Sequence, residues 1–97
     1  MQRITDKQLE NLITWINELT GSPTEYRNKE TGKINIGHFT LSHAYGGVCV
    51  HRIVNEGGGC STPIVPNHIP KRELFEQIHA FIKGLEFAKY ENMRKVA

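Results

Sequence analysis

Two adjacent cations, Lys71 and Arg72, open a segment whose apolar spacing predicts a helix. The N-terminus of a helix carries a partial positive charge, so acidic side chains are favoured in its first turn. Here only Glu73 offsets the two cations. Exposed helix amides beside a lysine and an arginine suit a phosphate group. The pattern therefore predicts an anion site, with two solvated surface charges as the alternative interpretation.

A glycine-rich region precedes this segment. Between Tyr45 and Gly59, five of the fifteen residues are glycine. Glycines let backbone amides approach a ligand, an aromatic ring can stack on a nucleobase, and an asparagine both donates and accepts hydrogen bonds. The alternative is that these glycines form only hairpin turns, and no dinucleotide-binding or P-loop motif is present. The candidate ligand-binding residues are Tyr45, Gly46, Gly47, Arg52, Asn55, Lys71 and Arg72.

The spacing of three of these residues resembles a known family. An asparagine, Asn55, follows the aromatic–glycine turn at Tyr45 by ten residues, and Arg72 follows seventeen residues later. This resembles the first-described Thoeris anti-defence family of phage signal sponges, over roughly residues 39–87. The resemblance implies helix-zipped oligomers that bind cyclic ADP-ribose isomers between protomers, and in some cases cyclic oligonucleotides elsewhere. It also implies that Tyr45 stacks the base, Asn55 hydrogen-bonds the ligand and Arg72 holds phosphate. The family uses a further upstream arginine, for which Arg27 is the nearest candidate.

Histidines and cysteines raise enzymatic alternatives. Phosphoesterases that cleave cyclic nucleotides by paired histidines need two H-x-[ST] elements, whereas this chain has one, His38 to Thr40. Cys49, His51 and Cys60 lack the C-x-x-C pair of a typical zinc site. We therefore predict no catalytic residue, no metal and no cofactor.

The elements that must position these residues begin with a helix. Thr5 and Gln8 have the spacing of a capping box, and Gly21 is a helix stop signal. The first helix is predicted over Asp6–Thr20. Its apolar face comprises Leu9, Leu12, Ile13, Ile16 and Leu19.

Three or four antiparallel strands are predicted in the middle of the chain. The polar stretch 28–32 predicts a hairpin loop. After it, Ile34 and Ile36 alternate, and Phe39 and Leu41 then alternate in the opposite phase, which predicts strand structure with a bulge at Gly37 where the phase changes. Residues 48–54 predict a central strand and residues 60–65 a short last strand.

A long second helix is predicted from Pro70. Its apolar stripe is expected to exceed what one protomer can cover, and Gly84 to allow close approach by another element, so we expect a homodimer or higher homo-oligomer. The charged tail from about Lys89 is expected to fray. The stripe comprises Leu74, Ile78, Phe81, Ile82 and Leu85.

Length and composition restrict the class of protein. Ninety-seven residues make one α+β domain, residues 1–97. The net charge of +2 is too small for general DNA or RNA binding, and no segment is apolar enough to span a membrane. The polar start, Met1 to Asp6, is unlike a signal peptide, so the expected location is the host bacterial cytoplasm, with Cys49 and Cys60 as free thiols.

We conclude that this chain is expected to be a phage anti-defence protein. It would sequester a small anionic nucleotide signal, a cyclic ADP-ribose isomer or a cyclic oligonucleotide, without cleaving it. A small phage protein that inhibits a host protein is the first alternative, and a cyclic-nucleotide phosphoesterase the second.

Overall fold

The computed structural model describes residues 3–96, so Met1, Gln2 and Ala97 lie outside it, including the start of the polar N-terminal stretch. The element order is α1 (Asp6–Thr20), β1 (Phe39–Ala44), β2 (Gly47–Ile53), β3 (Cys60–Ser61) and α2 (Lys71–Val96). The strands form an antiparallel sheet in the order β1-β2-β3. The predicted α+β class is confirmed, with an N-terminal helix, a small sheet and a long C-terminal helix.

Local signals determine both ends of α1. The Thr5 side chain accepts the Gln8 amide, and the Gln8 side chain accepts the Thr5 amide in return, which completes the predicted capping box. At the other end, Gly21 adopts the left-handed conformation with φ of 68°. The predicted bounds of the first helix are confirmed.

The sheet is centred on β2. Phe39 of β1 is opposite Arg52, and Ala44 is opposite Gly47. Along the other edge of β2, Ser61 pairs with Arg52, but Ile69 pairs with Val48, where uninterrupted pairing would place Val65. Four extra residues are therefore inserted on this edge, and β3 is much shorter than the predicted strand 60–65. We call residues 62–69, which leave the sheet and return to it, the strap.

The core fills one face of the sheet and the groove between the two helices. Cys49, on the opposite face of β2, is buried as well, and its thiol lies 3.3 Å from the Val65 carbonyl of the strap. The strap therefore covers the face of β2 that the helices leave open. The core cluster is Leu9, Ile13, Ile16, Phe39, Val48, Val50, Leu74, Ile78 and Ile82.

The segment between α1 and β1 differs from its predicted strand. The loop at 28–32 is present, but Ile34 makes only an isolated bridge to Arg27. Ile36 is half exposed and lies in a turn with Gly37, whose φ of 96° breaks the extended backbone. The expected bulge at Gly37 is thus a turn, because no continuous partner strand is available to Ile34 and Ile36.

Helix α2 differs from expectation in three respects. Three residues of its predicted stripe, Leu74, Ile78 and Ile82, are buried in the core of the same protomer, and Phe81 and Leu85 are partly buried against it, so most of the stripe is covered within one copy. No described atom lies within 4 Å of a Cβ built on Gly84, so no close approach explains this glycine. The charged tail from about Lys89, expected to fray, is helical to Val96. Neither helix, over the described residues, is long and apolar enough to cross a membrane.

Candidate functional site

The β1–β2 hairpin turn places an aromatic ring at the tip of the sheet. Tyr45 and Gly46 have φ of 54° and 74°, and positive φ at both central residues is the pattern of a type I′ turn. Such turns favour asparagine or glycine at the first of these positions, and a bulky side chain there is strained. Tyr45 is 99% exposed, so burial does not offset that strain.

A pocket of about 760 Å³ lies beside this turn, at the N-terminus of α2. Its wall includes Gly46 of the turn together with the predicted cations Lys71 and Arg72. Arg3 adds a third cation, and Asp6 is the acidic residue of the lining. The pocket therefore combines helix amides, glycine backbone and three basic side chains, an arrangement that suits a phosphate group.

Asp6 supplies the negative charge that the first turn of α2 lacks in the sequence. Its Oδ1 atom lies 3.0 Å from Lys71 Nζ and 3.3 Å from His43 Nε2. The hydrogen bond from Lys71, followed by that from His43, lowers the pKa of the Asp6 carboxyl below its ordinary value of 3.8. The excess positive charge in the first turn of α2, which predicted an anion site, is thus partly neutralised by Asp6. A phosphate bound in this pocket would meet the same carboxylate.

The strap brings further polar side chains to the same end of the sheet. The Tyr45 ring meets His68 edge-on, with ring centroids 6.0 Å apart, and His68 Nε2 lies 3.0 Å from Ser42 Oγ. Gly47 allows the strap to lie this close to the sheet, because a Cβ at position 47 would lie 3.0 Å from the backbone of Ile69. Packing alone therefore accounts for a glycine at position 47, and its predicted contact with a ligand stays a prediction.

Arg52 lies at the far end of β2 and is committed to the fold. Its Nε donates to the Gly37 carbonyl at 3.1 Å, and its guanidinium lies 4.7 Å from the centre of the Phe39 ring. The side chain also contacts Ser22 Oγ at 3.4 Å. These contacts tie β2 to the end of α1 and do not direct Arg52 toward Tyr45.

Asn55 follows β2 at the same far end. Its Oδ1 accepts the Gly59 amide at 2.9 Å, which closes the glycine-rich loop. Because β2 has seven residues at about 3.3 Å each, Asn55 and Tyr45 lie roughly 20 Å or more apart in one protomer. A second pocket, of about 460 Å³, lies at this end and includes Arg27 and Glu56.

The structure thus divides the predicted site residues into two groups. Tyr45, Gly46, Lys71 and Arg72 share one end of the molecule, where Gly47 supports the turn. Arg52 and Asn55 lie at the other end. A single site that uses both groups requires two copies of the chain, with the turn end of one against the loop end of the other.

Two of the residues considered for catalysis or metal binding, His38 and Cys49, are buried and make contacts within the fold. His38 is only 7% exposed, and its Nδ1 lies 2.8 Å from the Pro23 carbonyl oxygen. Burial raises the pKa of the Cys49 thiol, which disfavours a thiolate ligand or nucleophile. Over residues 3–96, no group of three or more His, Cys, Asp or Glu side chains is arranged to hold a metal ion.

Four residues of this site were missed by sequence reasoning: Arg3, Asp6, His43 and His68. Asp6 had been assigned to a helix start, and 65 positions separate it from Lys71. The strand register places His43 opposite Val48, and the packing of α1 brings Asp6 to it, and neither relationship is encoded locally. The four-residue insertion that carries His68 to the turn has no local sequence signal.

The site as a whole is equipped for binding. It offers an exposed aromatic face, a glycine backbone and a basic pocket, and one carboxylate that is already paired. In comparisons with known proteins, no family model, no curated protein and no solved structure matches this chain.

Proposed function

We propose that this protein captures a small phosphate-bearing nucleotide and holds it without altering it. The ligand class is the one implied by the resemblance to the Thoeris anti-defence sponges, a cyclic ADP-ribose isomer or a related cyclic nucleotide. The protein would act stoichiometrically in the host bacterial cytoplasm, by lowering the free concentration of an immune signal.

The observation that carries this proposal is the position of Tyr45. Its backbone is in the left-handed region, its ring is almost wholly exposed, and the glycine after it lines a basic pocket. Neither turn preference nor burial accounts for an aromatic residue there, so the strain indicates a function. A base stacked on this ring would gain about 1–3 kcal/mol, with its phosphates directed to the pocket.

The affinity that a sponge needs is high. Capture of a sub-micromolar signal requires a Kd near 1 nM, or about −12 kcal/mol. Stacking on Tyr45 and charge-assisted hydrogen bonds of about 1.5–3 kcal/mol each from Lys71 and Arg72 supply only part of this. Contacts from the loop end of a second copy, which carries Asn55, would supply more. The proposal therefore includes a homo-oligomer with the ligand between protomers.

A second candidate function has its own observation. Phe87, Tyr90 and Met93 on the last turns of α2 are each at least 60% exposed. An exposed apolar row of this kind is typical of a protein-binding surface. It supports the alternative that the chain binds and inhibits a host protein, and it is equally available to another copy of the chain.

The experiment that tests capture uses excess protein and a panel of cyclic ADP-ribose isomers. After ultrafiltration, one isomer should be missing from the filtrate, and heat denaturation of the retained protein should release it intact, as measured by mass spectrometry. Light scattering on the same sample should show at least a dimer. A hydrolysed product at more than one turnover per protomer contradicts sequestration and favours an enzyme. If no isomer leaves the filtrate, inhibition of a host protein becomes the better proposal.

Two substitutions connect the result to the site. Tyr45→Asn should weaken nucleotide capture by about 1–3 kcal/mol, the value of the lost stacking. It should also raise the free energy of unfolding by about 1 kcal/mol, because asparagine suits the turn better than tyrosine. Arg72→Ala should weaken nucleotide and inorganic phosphate alike, by about 1.5–3 kcal/mol. Trp15→Ala is the control, since Trp15 is an exposed aromatic residue on α1 that belongs to neither pocket. Equal capture by Tyr45→Asn and the wild type would contradict the assignment of this ring.

A further inference from the structure

The strap lies across the outer face of the sheet without pairing continuously with it. Between Ser61 of β3 and Ile69, a stretch that the structure describes throughout, no residue is paired with β2. Pro63 and Pro66 lie in this stretch and have no amide to donate to a neighbouring strand. The strap is therefore held at its two ends and by side-chain contacts, so its local opening should cost less than unfolding of the whole domain.

One of these contacts joins two histidines. The rings of His51 on β2 and His68 in the strap are both partly buried, and their centroids lie 5.8 Å apart with the ring planes at 72°. His68 Nε2 also lies 3.0 Å from Ser42 Oγ on β1. Histidine is the side chain that ordinarily gains a positive charge between neutral and mildly acidic pH. The closed strap thus holds two groups side by side that can acquire the same charge.

The groups around this pair do not compensate such a charge. Thr40 and Ser42 of β1 pair in register with His51 and Cys49 of β2, which places all four on one face of the sheet. Burial raises the pKa of the Cys49 thiol, so this thiol stays neutral. From the hairpin turn the nearest ring is that of Tyr45, and the strap contains no Asp, Glu, Lys or Arg. The ion pairs formed by residues 3–96 include neither imidazole.

We propose that His51 and His68 make the strap an acid-sensitive latch, which opens more often in mild acid and then uncovers Cys49. Displacement of the strap separates the two charged rings, whereas His51 itself is held in β2 by its pairing with β1. Burial of the imidazole, and then its proximity to His68, lower the pKa of His51 in the closed state. The closed strap therefore binds protons less readily than the open one, and acid favours opening. This inference does not depend on nucleotide capture.

The two cysteines of the chain supply the measurement. Cys49 is 0% exposed beneath the strap, whereas Cys60 is exposed and serves as an internal reference. The full chain is treated with dithiodipyridine, which reacts with thiols in acid as well as at neutral pH, and peptide mass spectrometry follows each cysteine. The rate at Cys49 divided by that at Cys60 should rise about tenfold from pH 8 to pH 5.5, the effect of a coupling of about one pKa unit. A constant ratio overturns the latch.

Three variants assign this rise to the histidine pair. In His51→Gln the ratio should stay nearly constant, and in His68→Gln, which retains a buried His51, it should rise by less than in the wild type. His79→Gln is the matched control, because His79 is also partly buried and makes an edge contact with Phe75, away from the strap. It should keep the full rise. A rise of wild-type size in His51→Gln, or its loss in His79→Gln, overturns the assignment.

Low concentrations of urea distinguish opening of the strap from unfolding of the domain. Opening of a short segment exposes little surface, so the Cys49 rate at pH 5.5 should barely change with urea below the unfolding transition. A rate that climbs with urea as steeply as global unfolding overturns the strap as the moving element. This measurement and the pH profile use the wild type alone, so both stand even where a variant fails to fold.

Discussion

Asn17 of α1 pairs with the backbone of Phe39 as a neighbouring strand would. Its Nδ2 donates to the Phe39 carbonyl at 3.1 Å, and its Oδ1 accepts the Phe39 amide at 2.8 Å. Asn17 is only 1% exposed, so both backbone groups depend on this one side chain. The Asn17 side chain thus satisfies the hydrogen-bonding groups of Phe39 on the outer edge of β1, and it fixes α1 against the sheet.

Replacement of Asn17 by alanine should therefore be strongly destabilising. Two buried backbone groups would lose their partners, and each such loss costs about 1–3 kcal/mol. We expect Asn17→Ala to lower the free energy of unfolding by about 3 kcal/mol, as measured by urea denaturation. Asn11→Ala, at an exposed position of the same helix, should change it by about 0.5 kcal/mol or less. Similar losses of stability at both positions would contradict the role assigned to the two hydrogen bonds between Asn17 and Phe39.

Two glycines should respond in opposite directions to the same substitution. Gly84 lies within α2 with no described atom within 4 Å of an added Cβ, so alanine there gains helix propensity without a clash. We expect Gly84→Ala to raise the free energy of unfolding by about 1 kcal/mol. A loss of stability in urea denaturation would indicate a neighbour, such as a second copy packed against this helix.

Gly47→Ala is the opposing case. The added methyl group would lie 3.0 Å from both the amide nitrogen and the carbonyl oxygen of Ile69, and neither backbone atom can move without breaking its bond to Val48. We expect a loss of about 1–3 kcal/mol, comparable to overpacking in a core. Thermal unfolding of the two variants beside the wild type checks both signs at once.

The parts of this fold that sequence predicts are those whose causes are local. Thr5, Gln8 and Gly21 act within one turn of α1, and the β-branched run at 48–54 forms the central strand where it was expected. The failures involve partners that are distant in sequence. Ile34 and Ile36 alternate as a strand would, but the chain brings only Arg27 to pair with Ile34.

The candidate site shows the same division. The turn at Tyr45 and the cations at the start of α2 were identified from residue types, and the structure places Gly46 and Lys71 in one pocket. The pairing of Lys71 with Asp6 depends on how α1 packs against α2, and no local pattern encodes it. Spacing likewise cannot show that Tyr45 and Asn55 lie at opposite ends of one strand.

The pH dependence of stability should report on His51. Burial of the imidazole, and then its proximity to His68, lower the pKa of His51 below its ordinary value of 6.5. A group of this kind contributes stability that is present above its unfolded pKa and is lost as the pH falls through the folded value. We therefore expect the wild type to lose stability as the pH drops below about 6.5, and His51→Gln to lose less. Urea denaturation at pH 8 and pH 5.5 measures this difference, and equal pH dependence in both proteins would contradict it.

Asp6 should restrain anion binding at the pocket while it stabilises the fold. Its carboxylate bonds Lys71 and occupies the side of the pocket where a phosphate would approach the start of α2. Because its pKa is lowered in the folded state, the stability it contributes is present above about pH 3.8 and is lost as the pH falls through the folded pKa. Asp6→Asn should therefore reduce stability at pH 7 and weaken its decline in acid.

The same substitution should raise the affinity for inorganic phosphate about two- to fivefold, because Lys71 and the helix amides no longer face a competing carboxylate. Glu10→Gln is the matched control, since it removes the same charge from an exposed position of α1. Calorimetric titration of phosphate into the three proteins distinguishes the possibilities. An equal gain in both variants would mean that only net charge matters. A loss of affinity in Asp6→Asn would mean that Asp6 holds Lys71 in place for the ligand and does not compete with it.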